Sequence, residues 1–421
     1  MISLYPNESR ARDAWIVAKR LERNRVDPDR PYAFLVEKER AESGEVVDVA
    51  TIFLTNRECP WKCLMCDLWK NTLTETVPAG AVPAQIDHAL AALQQSKAVI
   101  LPAPKGSSQR NLISASSTRG NSQARESRLE ACPTLALRQI KLYNNGSFFD
   151  PMAIPVEDYP EIAARVRAFE RVIIECHPAL ANERCLRFRD LLAGGAPSGP
   201  GSSFPVEAQT ASRFPSPCPL PEERENASRS SEPLRCLEGL EHRSAPGHLE
   251  VAMGLETAHP EVLEKLNKRM TLELFSHAAN FLRINGIAIR AFILVKPPFL
   301  EDSEALHWAE RSLDFAFQCG VTVASLIPTR LGNGALQALA QQGHFSPPKL
   351  STLEAALAYG IGLKKGRVFA DLWDLERFAD CPACFPARAE RLRQMNLRQE
   401  ILPVLKCQDC GAGAHSNSPS R

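Results

Sequence analysis

Neither sign of charge prevails in this chain. Its 421 residues carry 50 basic and 49 acidic side chains, a net charge of +1 at pH 7. That balance argues against a strongly basic nucleic-acid binder and leaves room only for a local patch. Long apolar runs are missing as well. A run such as AFILV at 291–295 is far too short to span a bilayer, so no membrane partner is expected. The opening stretch MISLYPNESRARDAW has no apolar core of the kind a secretory signal needs. The expected compartment is the cytoplasm.

Cysteine, by contrast, is plentiful, with 13 residues. Disulfides are rare in the cytoplasm, so clustered cysteines there more often hold metal or do chemistry. Three fall together as Cys59, Cys63 and Cys66. Four more form the pairs Cys381/Cys384 and Cys407/Cys410, and the remaining six are scattered.

The organisation is legible from composition and period. Residues 1–45 read as a charged helical extension with a helix at 11–25 and a connector. Residues 46–55 (VVDVATIFLT) are β-branched and apolar, the pattern of a buried strand. Further strands are expected at 139–143, 172–175, 249–254, 288–295 and 321–327, with helices between them. Two stretches interrupt this order. Residues 104–134 hold seven serines, and residues 193–248 hold 24 Pro, Ser or Gly among 56. Such segments cannot repay chain entropy by burial, so both read as disordered insertions. With them set aside, six strands alternate with helices. That is an α/β fold with parallel strands, a partial (β/α)6 barrel over 46–348. Residues 349–410 read as a helical element with a short strand at 367–370, carrying the four-cysteine site. Residues 411–421 read as a disordered tail.

Cys59, Cys63 and Cys66 are spaced C-x3-C-x2-C on the loop leaving the first core strand. A tetrahedral zinc site wants a fourth protein ligand, and the next histidine is His88. Three thiolates suit a 4Fe-4S cluster with one iron left open. The segment Glu58-Cys59-Pro60-Trp61-Lys62-Cys63-Leu64-Met65-Cys66 resembles the signature of the radical S-adenosylmethionine (radical SAM) superfamily. The resemblance implies that the three cysteines bind the cluster. It also implies that SAM chelates the open iron and is cleaved reductively to methionine and a 5′-deoxyadenosyl radical. Met65 stands where that family usually has an aromatic residue, and it can fill the same apolar space.

In parallel α/β folds ligands sit beyond the carboxyl ends of the strands. Asn144-Asn145-Gly146-Ser147 follows the second core strand, where the family carries a Gly-Gly-Glu-like stretch that contacts the SAM amino group; the glutamate is absent. Glu175, followed by His177, ends the third, and Glu256 the fourth. Lys296 leaves the fifth, where the family packs adenine, and Arg330 lies past the sixth. Asn144, Asn145, Gly146, Ser147, Glu175, Glu256 and Lys296 are therefore the expected SAM contacts. His177 is expected to be structural, and no catalytic residue is assigned. The stretches VAMGLETAHPEVLEKLNK and AFILVKPPFLEDSEAL resemble the core of the Elongator catalytic subunit and the tRNA methylthiotransferases. Within that group Gly146-Ser147-Phe148, the Glu175/Pro178 strand end, Gly254–Thr257 and Lys296-Pro297-Pro298 resemble the radical SAM subunit of archaeosine synthase.

Two Cys-x2-Cys pairs read as a four-cysteine zinc site made by Cys381, Cys384, Cys407 and Cys410, the rivals being an auxiliary iron–sulfur cluster or no metal. The expected function is radical SAM chemistry on an unknown substrate, with a modified tRNA base as one candidate. Its reductant would be a flavodoxin or ferredoxin. Two other readings stay open: a metal-binding adaptor that docks RNA or protein through zinc knuckles, and a degraded relative interrupted by its insertions.

Overall fold

A computed structural model describes residues 4–95, 137–194 and 249–411. The insertion expected at 104–134 lies outside them, as do the tail past 411 and all but residues 193 and 194 of the insertion at 193–248.

Eight strands form one sheet in chain order. They are β1 (Ala33–Arg40), β2 (Val46–Phe53), β3 (Leu137–Tyr143), β4 (Arg171–Cys176), β5 (Leu249–Glu256), β6 (Ala288–Val295), β7 (Val323–Pro328) and β8 (Arg367–Ala370). All neighbours pair in parallel except the β1–β2 hairpin, which is antiparallel. The six expected strands are β2 to β7, and β8 extends them. The sheet curls. Three strand spacings separate β3 from β6, about 14 Å in a flat sheet. Yet the rings of Tyr143 on β3 and Phe292 on β6 stand 5.8 Å apart. The result is an open, partial barrel.

The expectation for residues 1–45 needs correction. Helix α1 covers only Ser9–Ala18, and the stretch read as a connector contains β1. Its sequence AFLVEKER is half charged, so it lacks the β-branched, apolar signature of its neighbours. It forms because Glu37 and Glu39 point into the barrel, where cations await them.

Those cations build the barrel floor. Lys141 of β3 lies 2.7 Å from Glu37 and 2.5 Å from Glu39. Arg290 of β6 bridges Glu39 at 2.5 Å and Glu250 of β5 at 2.7 Å. Arg290, Glu39 and Glu250 are all fully enclosed. Burial alone would raise the Glu39 carboxyl, but Arg290 and Lys141 outweigh it and hold it far below the ordinary range. Above this ionic layer sit Phe53, Tyr143 and Phe292.

The further helices are α2 (Ala81–Gln95), α3 (Tyr159–Val166), α4 (Glu183–Leu192), α5 (Pro260–Lys265), α6 (Leu272–Ile284), α7 (Ala305–Gln318), α8 (Ala335–Gln341), α9 (Leu350–Leu363) and α10 (Phe385–Arg398); they cover the outer face except α8, which packs with Trp15 and Ile16 of α1 and with Leu64. Ile86, Ile162, Phe188, Phe275, Leu313, Leu357 and Leu392 face one continuous core against the strands. β5 is buried along its whole length, as a strand covered on both faces must be.

Candidate functional site

The three loop cysteines sit past the carboxyl end of β2, and distant side chains fix their backbone. The Leu64 amide donates to the Leu266 carbonyl at 2.9 Å. Asn333 Nδ2 donates to the carbonyls of Leu64 and Cys66, at 2.6 and 3.3 Å. Asn267 Nδ2 donates to the Lys62 carbonyl at 2.9 Å and to Asp13 of α1 at 2.7 Å. Leu64 is buried with Trp15, Ile16 and Leu336, and Met65 packs beside it, which fits the apolar role expected of that position. Glu58, next to Cys59, is gripped by Arg20, Arg23 and Lys62. Burial would raise its carboxyl, but hydrogen bonds from Lys62 and Arg20 outweigh this and lower it to about 2. The N-terminal extension is thus a brace for the cysteine loop. Nothing in its charged sequence names these partners.

The strand-end stretch after β3 lies directly against the loop. Gly146 has φ +102°, and a Cβ there would stand 2.3 Å from the Cys59 Cβ. Only glycine permits this approach. Asn56 pins the backbone of Asn145: its Oδ1 accepts from the Asn145 amide at 3.1 Å and its Nδ2 donates to the Asn145 carbonyl at 3.2 Å. The side chains behave differently. Both polar atoms of Asn144 and both of Asn145 are buried without a hydrogen-bond partner among the described residues. An unsatisfied buried polar group costs about 1–3 kcal/mol, so four of them beside one loop mark a place made for a ligand. Ser147 turns inward instead. Its hydroxyl accepts from the Phe149 amide at 3.3 Å and reaches Cys176 Sγ at 3.5 Å, so only its backbone faces the rim.

Glu256 ends β5 in the left-handed region, at φ 65°. Lys268 holds its carboxylate and also donates to the Gly254 carbonyl at 2.8 Å. A Cβ on Gly254 would lie 2.0 Å from both charged groups, so this glycine makes room for the pair. Lys268 went unassigned in the sequence because it sits in a charged run, EKLNKR, that continues past the end of α5. Enclosure by protein raises Glu175 to about 8, against the charge of Lys268 and a hydrogen bond from the Asn144 amide. His177 stacks on Trp61 of the cysteine loop at 3.8 Å. The Ala179 amide donates to its Nδ1, and its Nε2 lies 3.0 Å from the Lys268 carbonyl. That pattern fixes a neutral imidazole, and burial lowers its pKa to about 3. The structural role expected of it fits. Lys296, also left-handed at φ 53°, gives its ammonium to Asp302 and Ser346 rather than to the cysteine loop. Arg330 bridges Asp371 at 2.7 Å.

Burial pushes the Cys59 thiol up to about 11 and Cys63 to about 12, and raises Cys66 well above its ordinary value. As free groups the three stay protonated. Their donor set suits a bound cation that displaces those protons, and the unpaired amides of Asn144 and Asn145 lie on the adjoining stretch beside Gly146.

The second cysteine group has another geometry. The four sulfurs of Cys381, Cys384, Cys407 and Cys410 all lie within 4.8 Å of one another. Cys381 and Cys407 are 4.0 Å apart, Cys384 and Cys410 3.8 Å. With metal–sulfur bonds of about 2.3 Å, a tetrahedral shell has edges of about 3.8 Å. A four-iron cluster spreads its thiolates over four metal atoms and needs wider spacing. The quartet therefore fits one ion.

No protein-family model matches the chain. It is 26% identical over 196 residues to archaeosine synthase subunit beta of Methanosarcina acetivorans, a match covering 43% of this chain and 52% of the relative. An uncharacterized protein of Methanocaldococcus jannaschii is 27% identical over 163 residues, covering 37% of this chain and 44% of the relative. Archaeosine synthase subunit beta of Thermococcus kodakarensis is 36% identical over 67 residues, covering 16% of this chain and 21% of the relative. The chain thus spans about half the length of the first of these curated relatives, and less of the other two. Among solved structures, the radical SAM methyltransferase TsrM of Kitasatospora setae matches with TM-score 0.35 and 14% identity, covering 69% of this chain and 38% of that one. Escherichia coli coproporphyrinogen III oxidase matches with TM-score 0.36 and 11% identity, covering 78% and 57%. Scores this low carry neither fold nor function. The expected likeness to archaeosine synthase is borne out by the sequence relatives.

Proposed function

We propose that this chain is a radical SAM enzyme. Cys59, Cys63 and Cys66 hold a 4Fe-4S cluster, and the rim beside them binds SAM. One observation carries the reading: a three-thiol loop lies against Gly146, next to four buried amide atoms that have no partner among the described residues. When bound, the cluster and SAM supply reductive SAM cleavage and the hydrogen abstraction that follows, with the electron drawn from a flavodoxin or ferredoxin.

The chain's own residues orient and enclose. Asn144 and Asn145 offer donors and acceptors to the amino-acid end of SAM, from a backbone already locked by Asn56. Glu256, steered by Lys268, offers an acceptor to a ribose hydroxyl. Glu175 keeps its proton at neutral pH and presents both a donor and an acceptor. Lys296, engaged by Asp302 and Ser346, shapes the adenine side through its backbone. The Cys381–Cys410 quartet holds zinc, because four thiolates around one small shell are a closed structural site. The relatives' name directs the search for a substrate to a modified tRNA base, and residues 46–348 are the unit that would act on it.

The test is anaerobic reconstitution with iron and sulfide, followed by SAM and dithionite. The expected products are 5′-deoxyadenosine and methionine, with a cluster electron paramagnetic resonance signal that changes on adding SAM. A full cluster that neither senses nor cleaves SAM would overturn the proposal in favour of a metal-binding adaptor.

A further inference from the structure

The quartet lies far along the chain from the rim, and its sequence neighbours give it a task. Helix α10 begins just after Cys384, its capping residue, and ends beside β8, the last strand of the sheet. A terminal strand exposes unpaired backbone groups, and proteins cover them. Here two side-chain amides, one from α10 and one from the residue that caps its end, replace the missing strand. Asn396 Oδ1 accepts from the Ala370 amide at 2.9 Å, and its Nδ2 donates to the Ala370 carbonyl at 2.8 Å. Gln399 does the same two residues away, accepting from the Val368 amide at 2.7 Å and donating to its carbonyl at 2.8 Å. A side-chain amide carries one acceptor and two donors, so it can copy a peptide group.

The same helix reaches the opposite edge of the barrel. Arg40, at the end of β1, donates to the Leu397 carbonyl at 3.3 Å, and Arg367 of β8 donates to the Arg40 carbonyl at 2.9 Å. β1 and β8 do not pair with each other. α10 therefore spans the seam between them. Beyond Gln399 the chain doubles back to Cys407 and Cys410 on slight apolar anchoring: Leu402 packs against the core, but Ile401 and Val404 are 55% and 57% exposed. Arg391 holds its Leu402 and Pro403 carbonyls, and the sulfur quartet closes the loop.

We infer that the Cys381–Cys384–Cys407–Cys410 site is a metal-locked latch. One zinc ion pins the start of α10 and the returning segment, and thereby holds the Asn396 and Gln399 amides on the free edge of β8, closing the barrel seam. The latch rests on the zinc part of the preceding proposal but not on its radical chemistry. Its test needs neither iron nor SAM.

The experiment is hydrogen exchange on the full chain, isolated with zinc and then stripped by a zinc chelator, with zinc per chain measured alongside. Stripping should speed exchange at the Val368 and Ala370 amides at least tenfold, while amides of β3 to β5 keep their protection; zinc added back should restore the slow rate. Gln399→Leu should keep one zinc per chain and speed Val368 alone, and Cys410→Ser should reproduce the stripped state. Unchanged rates at Val368 and Ala370 after zinc loss would overturn the inference. So would an equal loss of protection across β3 to β5, which would make the metal a global staple, or failure of the full chain to bind zinc at all.

Discussion

The two cysteine groups solve opposite problems with the same atom. The rim triad lies on a loop packed under protein, where burial pushes Cys59 up to about 11 and Cys63 to about 12 and raises Cys66 as well. The quartet lies at the edge, where amides of Cys384 and Ala383 lower Cys381 to about 7, while burial raises Cys384 to about 12. Three ligands with orphaned amides beside them leave a place for chemistry. Four ligands within 4.8 Å leave none. The count of ligands, rather than the residue type, separates an open site from a closed one.

The most severe way to break this comparison is to remove a ligand from each group. Cys59→Ala should cost the iron and lower 5′-deoxyadenosine formation by about a thousandfold or more, because the cluster is lost outright. Zinc should stay near one per chain. Cys384→Ser should do the reverse, emptying the zinc site and sparing the iron. If either substitution removed both metals, the two groups would not be separate sites.

A smaller blow tests the contact between rim and strand. Gly146→Ala adds a Cβ 2.3 Å from the Cys59 Cβ at φ +102°. Either fault alone forces a shift, with a cost of about 1–3 kcal/mol. Thermal unfolding should report that loss, and iron per chain should fall well below the parent value. A parent-like iron content would mean that the close approach does not set the loop.

How far these sites could be read in advance depended on whether their partners lay nearby in sequence. The strands β2 to β7 announced themselves by apolar, β-branched runs. β1 did not, because its inward residues are Glu37 and Glu39, satisfied by Lys141 and Arg290 more than 100 positions away. A signal was present: a lone charge inside each of the strands QIKLY, LEVAMG and AIRAFILV. Single charges in buried strands imply counter-charges in the same interior. At the rim, Asn144–Gly146 was legible by position past a strand. Lys268 was hidden in a charge run just past α5, and the Asn56 and Asn333 clamps depend on contacts that spacing cannot show.

His177 separates rim packing from metal binding through pH. Its folded imidazole takes a proton only near pH 3, against about 6.5 when unfolded. Between those values the unfolded chain binds the extra proton, so stability falls as pH drops from 6.5 toward 3. The loss from pH 7 to pH 5 is about 2 kcal/mol. His177→Gln should flatten that part of the stability–pH curve. An unaltered slope in denaturant titrations would show that the Trp61 stack does not keep the ring neutral.

The mildest change probes the orphaned amides. Asn145→Ala removes two buried polar atoms that have no protein partner among the described residues, while Asn56 still holds the backbone amide and carbonyl of residue 145. The free chain loses no hydrogen bond, so its stability should hold or rise by about 1 kcal/mol, since a buried unsatisfied group is a cost. Iron content should not move, because no hydrogen bond of this side chain holds the cysteine loop. SAM binding alone should weaken, by about tenfold for one or two lost hydrogen bonds. Equilibrium binding to the reconstituted protein measures the second effect and denaturant unfolding the first. A variant that lost stability while binding SAM normally would make Asn145 a structural amide. Opposite signs in the two measurements are what a group held ready for a ligand must give.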